Sequence, residues 1–204
     1  MLKLLLIVAC IGHIMCGFCD CLLSYSKGRR LNLKDIKDSE KMAKMFEAMP
    51  LWQPMTSIIL GAFSITIFTF GYLALSSWMH KYNVTLSYVM LAGAIVFVIP
   101  IAVHHVICGI VEWFYIKLGR TDEARSLVLG FQKETISTMF VGYLGWLVFL
   151  LVLFIEIVMG KTDLPIWACV FNTLPLMIIL TPTKFAAKGN IAGALMFLGL
   201  AVLL

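Results

Sequence analysis

The sequence predicts an all-α polytopic membrane bundle: six transmembrane helices in three hairpins, both termini outside, and two amphipathic helices on the cytoplasmic side. Three observations carry that prediction. Of the 204 residues, 61% are hydrophobic and 13% charged, and the mean hydropathy is +0.97. A soluble domain of this length has no interior large enough to hide so much apolar surface. The apolar residues fall in six runs, each near the roughly 20 residues that a bilayer-crossing helix needs. Finally, thirteen of the sixteen Lys and Arg residues are gathered in three of the connections. Barrel strands would alternate in polarity over ~10 residues, and these runs do not.

The first run covers about 2–24. A basic start before an apolar stretch also fits a secretory signal, and Ile7-Val8-Ala9-Cys10 resembles a lipoprotein cleavage box. Apolar character continues well past Cys10, so a retained first span with an outside N-terminus is expected. The connection that follows holds Lys27, Arg29, Arg30, Lys34, Lys37, Lys41 and Lys44. Within it, Met42, Met45, Phe46 and Met49 mark one face of a helix over Ser39–Met49, with Ser39 as N-cap.

The second and third runs, about 55–79 and 86–116, are joined by a short turn. Pro100 should kink the third and leave the Val96 carbonyl without its helical donor. A second basic connection carries Lys117, Arg120, Arg125 and Lys133. It contains another amphipathic segment, Thr121–Phe131, capped by Thr121 and striped by Ala124, Leu127, Val128 and Phe131. Such helices lie along the inner interface or pack across the mouth of the bundle.

The fourth run, about 135–159, brings Glu156 close to its outer end, within expected reach of Lys161. The fifth, about 164–183, contains Asn172 among Pro165, Pro175 and Pro182, which free carbonyls and bend a helix. Asn172 is a candidate pocket donor or interhelical glue. The sixth, about 189–204, follows a short connection with Lys184 and Lys188. Gly142, Gly145, Gly189 and Gly193 suit close helix packing, and Trp52, Trp78, Trp113 and Trp167 suit interfacial belts. The chain reads as one domain, 1–204.

By the positive-inside rule, the three basic connections are cytoplasmic. The net charge of +5 is then explained by topology and anionic lipid, not by nucleic acid. Cysteines 10, 16, 19, 21, 108 and 169 all lie inside predicted spans, which argues against a disulfide framework. The sequon Asn83-Val84-Thr85 sits too close to the membrane for an expected glycan. No phosphate loop, serine elbow, HExxH or dinucleotide fingerprint is present.

One phrase occurs twice. His13, Cys16, Gly17 and Asp20 in the first run recur as His105, Cys108, Gly109 and Glu112 in the third, at the same spacing. Polar side chains at membrane depth are expensive and usually functional. On a helix, positions i, i+3 and i+7 share a face, so each run presents histidine, cysteine and acid in one stripe. If the two runs are parallel neighbours, like residues lie at like depth. His13, Cys16, His105 and Cys108 then form one layer, a candidate Cys2His2 site for zinc or another divalent metal, with His104 as a spare nitrogen. Asp20 and Glu112 form a second layer, two carboxylates sharing a proton, with Ser24, Tyr25 and Tyr115 as donors nearby. Against these stand a purely structural reading, in which histidines bond across helices and cysteines pack as small apolar residues, and snorkelling of the acids towards Arg29 and Arg30. Haem or thiol chemistry is a further option, but Cys16-Gly17-Phe18-Cys19 lies mid-helix, without the helix N-terminus or cation that activates a thiol.

Asp20-x-Leu22-Leu23-x-Tyr25, a polar histidine centre in the third run, and Gly160-Lys161-Thr162-x-Leu164-Pro165-x-Trp167 leading to Asn172 resemble an uncharacterised family of bacterial six-span integral membrane proteins. In that family a glycine directly precedes the aspartate, where this chain has Cys19. The resemblance implies the six-span architecture and a bacterial inner-membrane location, and no activity.

Three functions fit. The bundle binds or transports a small or lipophilic molecule at the polar site, with Asp20, Glu112, His104 and Asn172 as ligand contacts. Alternatively, it is a non-catalytic membrane subunit or immunity-type partner. In the third reading it is a lipid-modifying enzyme whose metal activates water.

Overall fold

The structure is a computed structural model. It describes residues 1–204 apart from Gly28, Leu33 and the side chain of Arg29. In chain order it comprises α1 (Leu2–Ser24), a small antiparallel hairpin of β1 (Tyr25–Ser26) and β2 (Arg29–Arg30), a 3-10 turn at Asp35–Lys37, α2 (Ser39–Phe46), α3 (Trp52–Met79) and α4 (Val84–Lys117). There follow α5 (Asp122–Thr135), α6 (Ser137–Val158), a 3-10 segment at Ile166–Phe171, α7 (Thr173–Leu180) and α8 (Lys188–Leu203). The fold is all-α apart from the β1–β2 hairpin among the described residues.

Four helical stretches, Leu2–Ser24, Trp52–Met79, Val84–Lys117 and Asp122–Val158, are long and apolar enough to cross a membrane. Their outer faces suit that environment. Leu4, Ile7, Ile11, Ile14 and Phe18 form an exposed stripe along α1, a larger apolar surface than a soluble protein leaves bare.

Local capping sets the helix starts. The Asp38 carboxylate accepts from Lys41 N–H at 3.0 Å, so Asp38 caps α2 in place of the expected Ser39. Asn83 caps α4 and Thr121 caps α5 in the same way. Asp38 is exposed, and this bond holds its carboxyl below the usual range.

The fifth run departs from expectation. It is not one helix: a 3-10 segment ends at Asn172, whose carboxamide oxygen accepts from Leu174 N–H at 2.9 Å and starts the eight-residue α7. Pro175, in the first turn of α7, supplies no backbone donor where none is needed. Pro100, by contrast, lies within a continuous α4.

The helices pack in the order α8, α1, α3, α4, α6, and the 3-10 segment with α7 closes the array between α6 and α8. The hairpins α1–α3 and α4–α6 are close pairs. At Gly145 a Cβ would sit 2.6 Å from Phe97 N, so α6 meets α4 backbone to backbone. Spans one and three, α1 and α4, are largely separated by α3.

The two ends differ. At the basic end, Met42, Phe46 and Met49 bury against Ile107, Val111, Tyr115 and Ile116 of α4 and against Ala124 and Val128 of α5. Arg120 locks this layer by donating to the carbonyls of Phe46 (3.1 Å) and Met49 (3.3 Å). α2 therefore packs across the mouth of the bundle. In α5 the expected stripe splits: Ala124 and Val128 are buried, while Leu127 and Phe131 are exposed. At the opposite end, Lys81 Nζ meets Asp163 Oδ2 at 2.6 Å. Glu156 is buried there, and no ion pair joins it to Lys161 among the described residues. Trp78 is buried too, whereas Trp52 and Trp167 are exposed as a belt requires. All six cysteines are free.

Candidate functional site

Seven of the eight predicted site residues line one cavity of about 460 Å³: His13, Cys16, Asp20, His104, His105, Cys108 and Glu112. Its walls come from α1, α3, α4, α6 and α8, with α2 and α5 at the mouth, and it runs from Phe68 and Trp146 in the interior to Arg30, Met45 and Gln132 at the basic end. Asn172 stands apart. Besides capping α7 it donates from Nδ2 to the Leu150 carbonyl at 3.0 Å, which ties the broken segment to α6.

The cavity wall is wired in one direction. Trp146 Nε1–H donates to the Tyr72 hydroxyl at 2.9 Å, and that hydroxyl donates to His13 Nε2 at 3.2 Å. His13 Nδ1 lies 2.8 Å from Asn190 Oδ1, an atom that only accepts, so Nδ1 carries the ring proton. Asn190 Nδ2 donates to Asp20 Oδ2 at 2.8 Å. The amide orientation follows from this network, because the carboxylate needs a donor. Each donor points towards Asp20, so each bond polarises the next. His13 is further pinned by stacking on Phe68 at 4.2 Å, and a Cβ at Gly193 would come within 2.6 Å of its ring.

His105 is held from α3. Its Nε2 lies 3.1 Å from the Ser57 carbonyl and 3.2 Å from Ser57 Oγ. Ser57 Oγ spends its own proton on the Cys19 carbonyl at 3.0 Å. Both Ser57 oxygens therefore accept, and Nε2 carries the hydrogen. Nδ1 is turned towards Asp20 Oδ1, 3.6 Å away, which is too far for a hydrogen bond. A Cβ on Gly61 would overlap the His105 imidazole, so only glycine admits the ring at this point of α3.

His104 is set the other way. Thr138 Oγ1 donates to the Thr135 carbonyl at 2.7 Å and accepts from His104 Nδ1 at 3.3 Å. His104 Nε2 is then free to accept from the Cys108 thiol at 3.5 Å. Glu112 has a buried carboxylate oxygen, Oε2, without a hydrogen-bond partner.

The depth match expected between the two phrases does not occur. Asp20 of the first faces His105 of the second, an offset of one phrase, about 10 Å along a helix. The physical reason lies at the basic end. α4 continues past α1, and its projecting turns, Ile107–Ile116, are buried by α2 and α5. Glu112 belongs to those turns. The two acids are thus not a layer. The metal-ligating candidates divide likewise. Among the described residues, Cys16, Asp20 and His105 have ligand atoms within 4.8 Å of one another. His13 and Cys108 lie outside that group, engaged with Asn190 and His104.

Of the donors expected nearby, Ser24 lines the cavity, whereas Tyr115 donates to the Arg120 carbonyl at 3.3 Å. Arg30 lines the mouth but donates to the Lys184 carbonyl, not to Asp20. The Arg29 side chain lies outside the described residues. Asn190, Tyr72, Trp146, Ser57 and Gly61 escaped the sequence reading. Asn190 and Tyr72 carried a usable signal, each a polar side chain in an otherwise apolar run.

Searches of curated proteins and of solved structures find no match. A family model matches residues 1–203, so every helix that walls the cavity falls inside the match, and the chain belongs to the family of unknown function DUF6796.

Proposed function

We propose that this chain is a multi-pass membrane protein that binds or transports a small or lipophilic molecule in the cavity. The observation that carries the reading is Glu112: a carboxylate oxygen buried without a partner beside a cavity of about 460 Å³. Leaving such a group unpaired costs about 1–3 kcal/mol or more, which a ligand donor offsets. The volume falls in the range of about 300–1,000 Å³ typical of small-molecule sites. The wall is apolar on Ile65, Phe68, Phe97 and Ile101 and polar at a few points, as for an amphiphilic ligand.

In this reading the chain crosses the bilayer six times. The 3-10 segment with α7 spans about 24 Å, as does the sixteen-residue α8, both slightly short of a ~30 Å core. The basic end faces the cytoplasm, both termini face out, and the cavity opens inward. A bacterial inner membrane is the proposed location.

Native mass spectrometry of the full chain released from lipid nanodiscs tests the site. It should show a retained organic adduct. Glu112→Gln should lower its occupancy about tenfold, since pairing a buried polar group that otherwise stays unsatisfied is worth about 1–3 kcal/mol. Equal adducts on wild type and Glu112→Gln would sink the assignment. Impermeant maleimide labelling of Asp35→Cys and Thr162→Cys in sealed cells tests orientation: only the second should react.

A further inference from the structure

We infer that Cys16, Asp20 and His105 form a binding site for one thiolate-tolerant divalent cation, of which zinc is the type. The geometry at His105 asks for a positive charge. Its Nε2 hydrogen is committed to Ser57, so the Nδ1 lone pair points at the Asp20 carboxylate. A lone pair facing an anion is repulsive unless something positive stands between them. A shared proton would draw the atoms to about 2.7–2.9 Å, the usual length of a charge-assisted bond. The separation is instead 3.6 Å. A nitrogen and an oxygen on one tetrahedral zinc, at bond lengths of about 2.0–2.2 Å, stand roughly 3.3–3.5 Å apart. The gap fits an ion better than a proton.

The third ligand and the surroundings agree. Cys16 Sγ lies within 4.8 Å of both partner atoms, and a side-chain movement of about 1 Å completes the set. One thiolate and one carboxylate neutralise a divalent cation, which removes the cost of burying net charge. Binding releases the Cys16 thiol proton to water in the cavity. Each ligand except the thiolate already has an orienting partner: the Ser57 carbonyl holds His105 Nε2–H, and Asn190 Nδ2 holds Asp20 Oδ2. Such outer partners fix ring tautomer and carboxylate direction. Three protein ligands beside a cavity leave the fourth position to water or to a bound molecule, the pattern of reactive rather than purely structural zinc sites.

The inference deepens the ligand-binding reading, resting on it only for the cavity's role. The organic ligand is read by mass and the ion by absorption, so either can fail alone. The experiment uses the full chain in nanodiscs, stripped with chelator and titrated with Co²⁺. One Co²⁺ per chain should bind and give a thiolate-to-cobalt charge-transfer band in the near ultraviolet, which Zn²⁺ then bleaches. Cys16→Ser should abolish the band, Asp20→Asn and His105→Ala should each weaken binding at least tenfold, and Asn190→Ala should weaken it about 10–100-fold. Cys169→Ser should retain the band. Lack of saturable Co²⁺ binding by the wild type would overturn the site and leave His105 and Asp20 as a structural pair only. A band that survives Cys16→Ser would overturn it too. If Cys16→Ser does not fold, judged by circular dichroism and gel filtration, wild-type stoichiometry and the presence of the band decide the matter.

Discussion

The two copies of the His-x-x-Cys-Gly-x-x-acid phrase share their spelling and differ in almost everything around it. In the α1 copy, the histidine is bonded at both nitrogens and the acid is held by Asn190. In the α4 copy, the histidine leaves Nδ1 facing a carboxylate, the cysteine turns to His104, and Glu112 keeps an unpartnered oxygen. The histidine and the acid of the first copy are closed off by partners from α3 and α8, whereas Glu112 of the second keeps an open oxygen, although both copies line the cavity. A repeated motif therefore does not specify a repeated site. What a histidine does is decided by whether a donor reaches its second nitrogen, as Tyr72 does at His13 and nothing does at His105 among the described residues.

The largest expected effect tests the closed copy. Asn190→Leu strips partners from His13, which is buried, and Asp20, which is part-exposed, and should lower stability by about 2–4 kcal/mol. Thermal unfolding followed by circular dichroism measures it. A change below about 0.5 kcal/mol would mean that the closed copy is not closed. Next comes Gly61→Ala, where the new methyl must displace the His105 ring. Overpacking of this kind costs about 1–3 kcal/mol, and histidine nitrogen resonances by NMR should report a changed His105 and an unchanged His13.

Asn172→Ala gives the reference for a buried amide outside both copies. Losing the α7 cap and the bond to Leu150 should cost about 0.5–2 kcal/mol, typically ~1, without touching the Co²⁺ band. Glu112→Gln should move stability less than any of these, because no hydrogen bond to Oε2 is lost. In the proposed reading its effect falls on ligand occupancy instead. The surface pair Lys81–Asp163 sets the floor. Its hydrogen bond holds the Asp163 carboxyl below its ordinary range and raises the Lys81 ammonium. The pair's contribution is therefore present above the ordinary carboxylate range and lost as pH falls through the lowered value. At the alkaline side it fades as pH rises through the raised lysine. Asp163→Asn should flatten both limbs of a melting-temperature profile taken at low salt.

Much of the scaffold was legible in the chain. The runs about 55–79 and 86–116 appear as Trp52–Met79 and Val84–Lys117, because length and apolar continuity decide a long helix. Hydropathy says nothing of backbone shape, so the break at Asn172 was hidden inside an apolar run. The cavity's residues were found because ionisable side chains stand out against an apolar background. Their pairing was not, because depth along a bundle depends on how far each helix projects. Neither α4's extension under Met42 and Phe46 nor the glycine that admits His105 leaves a periodic trace.

The bond between Asn190 and Asp20 joins residues 170 positions apart, on the first long helix and the last. During synthesis, at about 5–20 residues per second, α1 waits roughly 10–30 s for that partner to be made. Through that interval Asp20 and His13 are without their amide. A chain stalled before α8 therefore lacks the one side chain that joins His13 to Asp20.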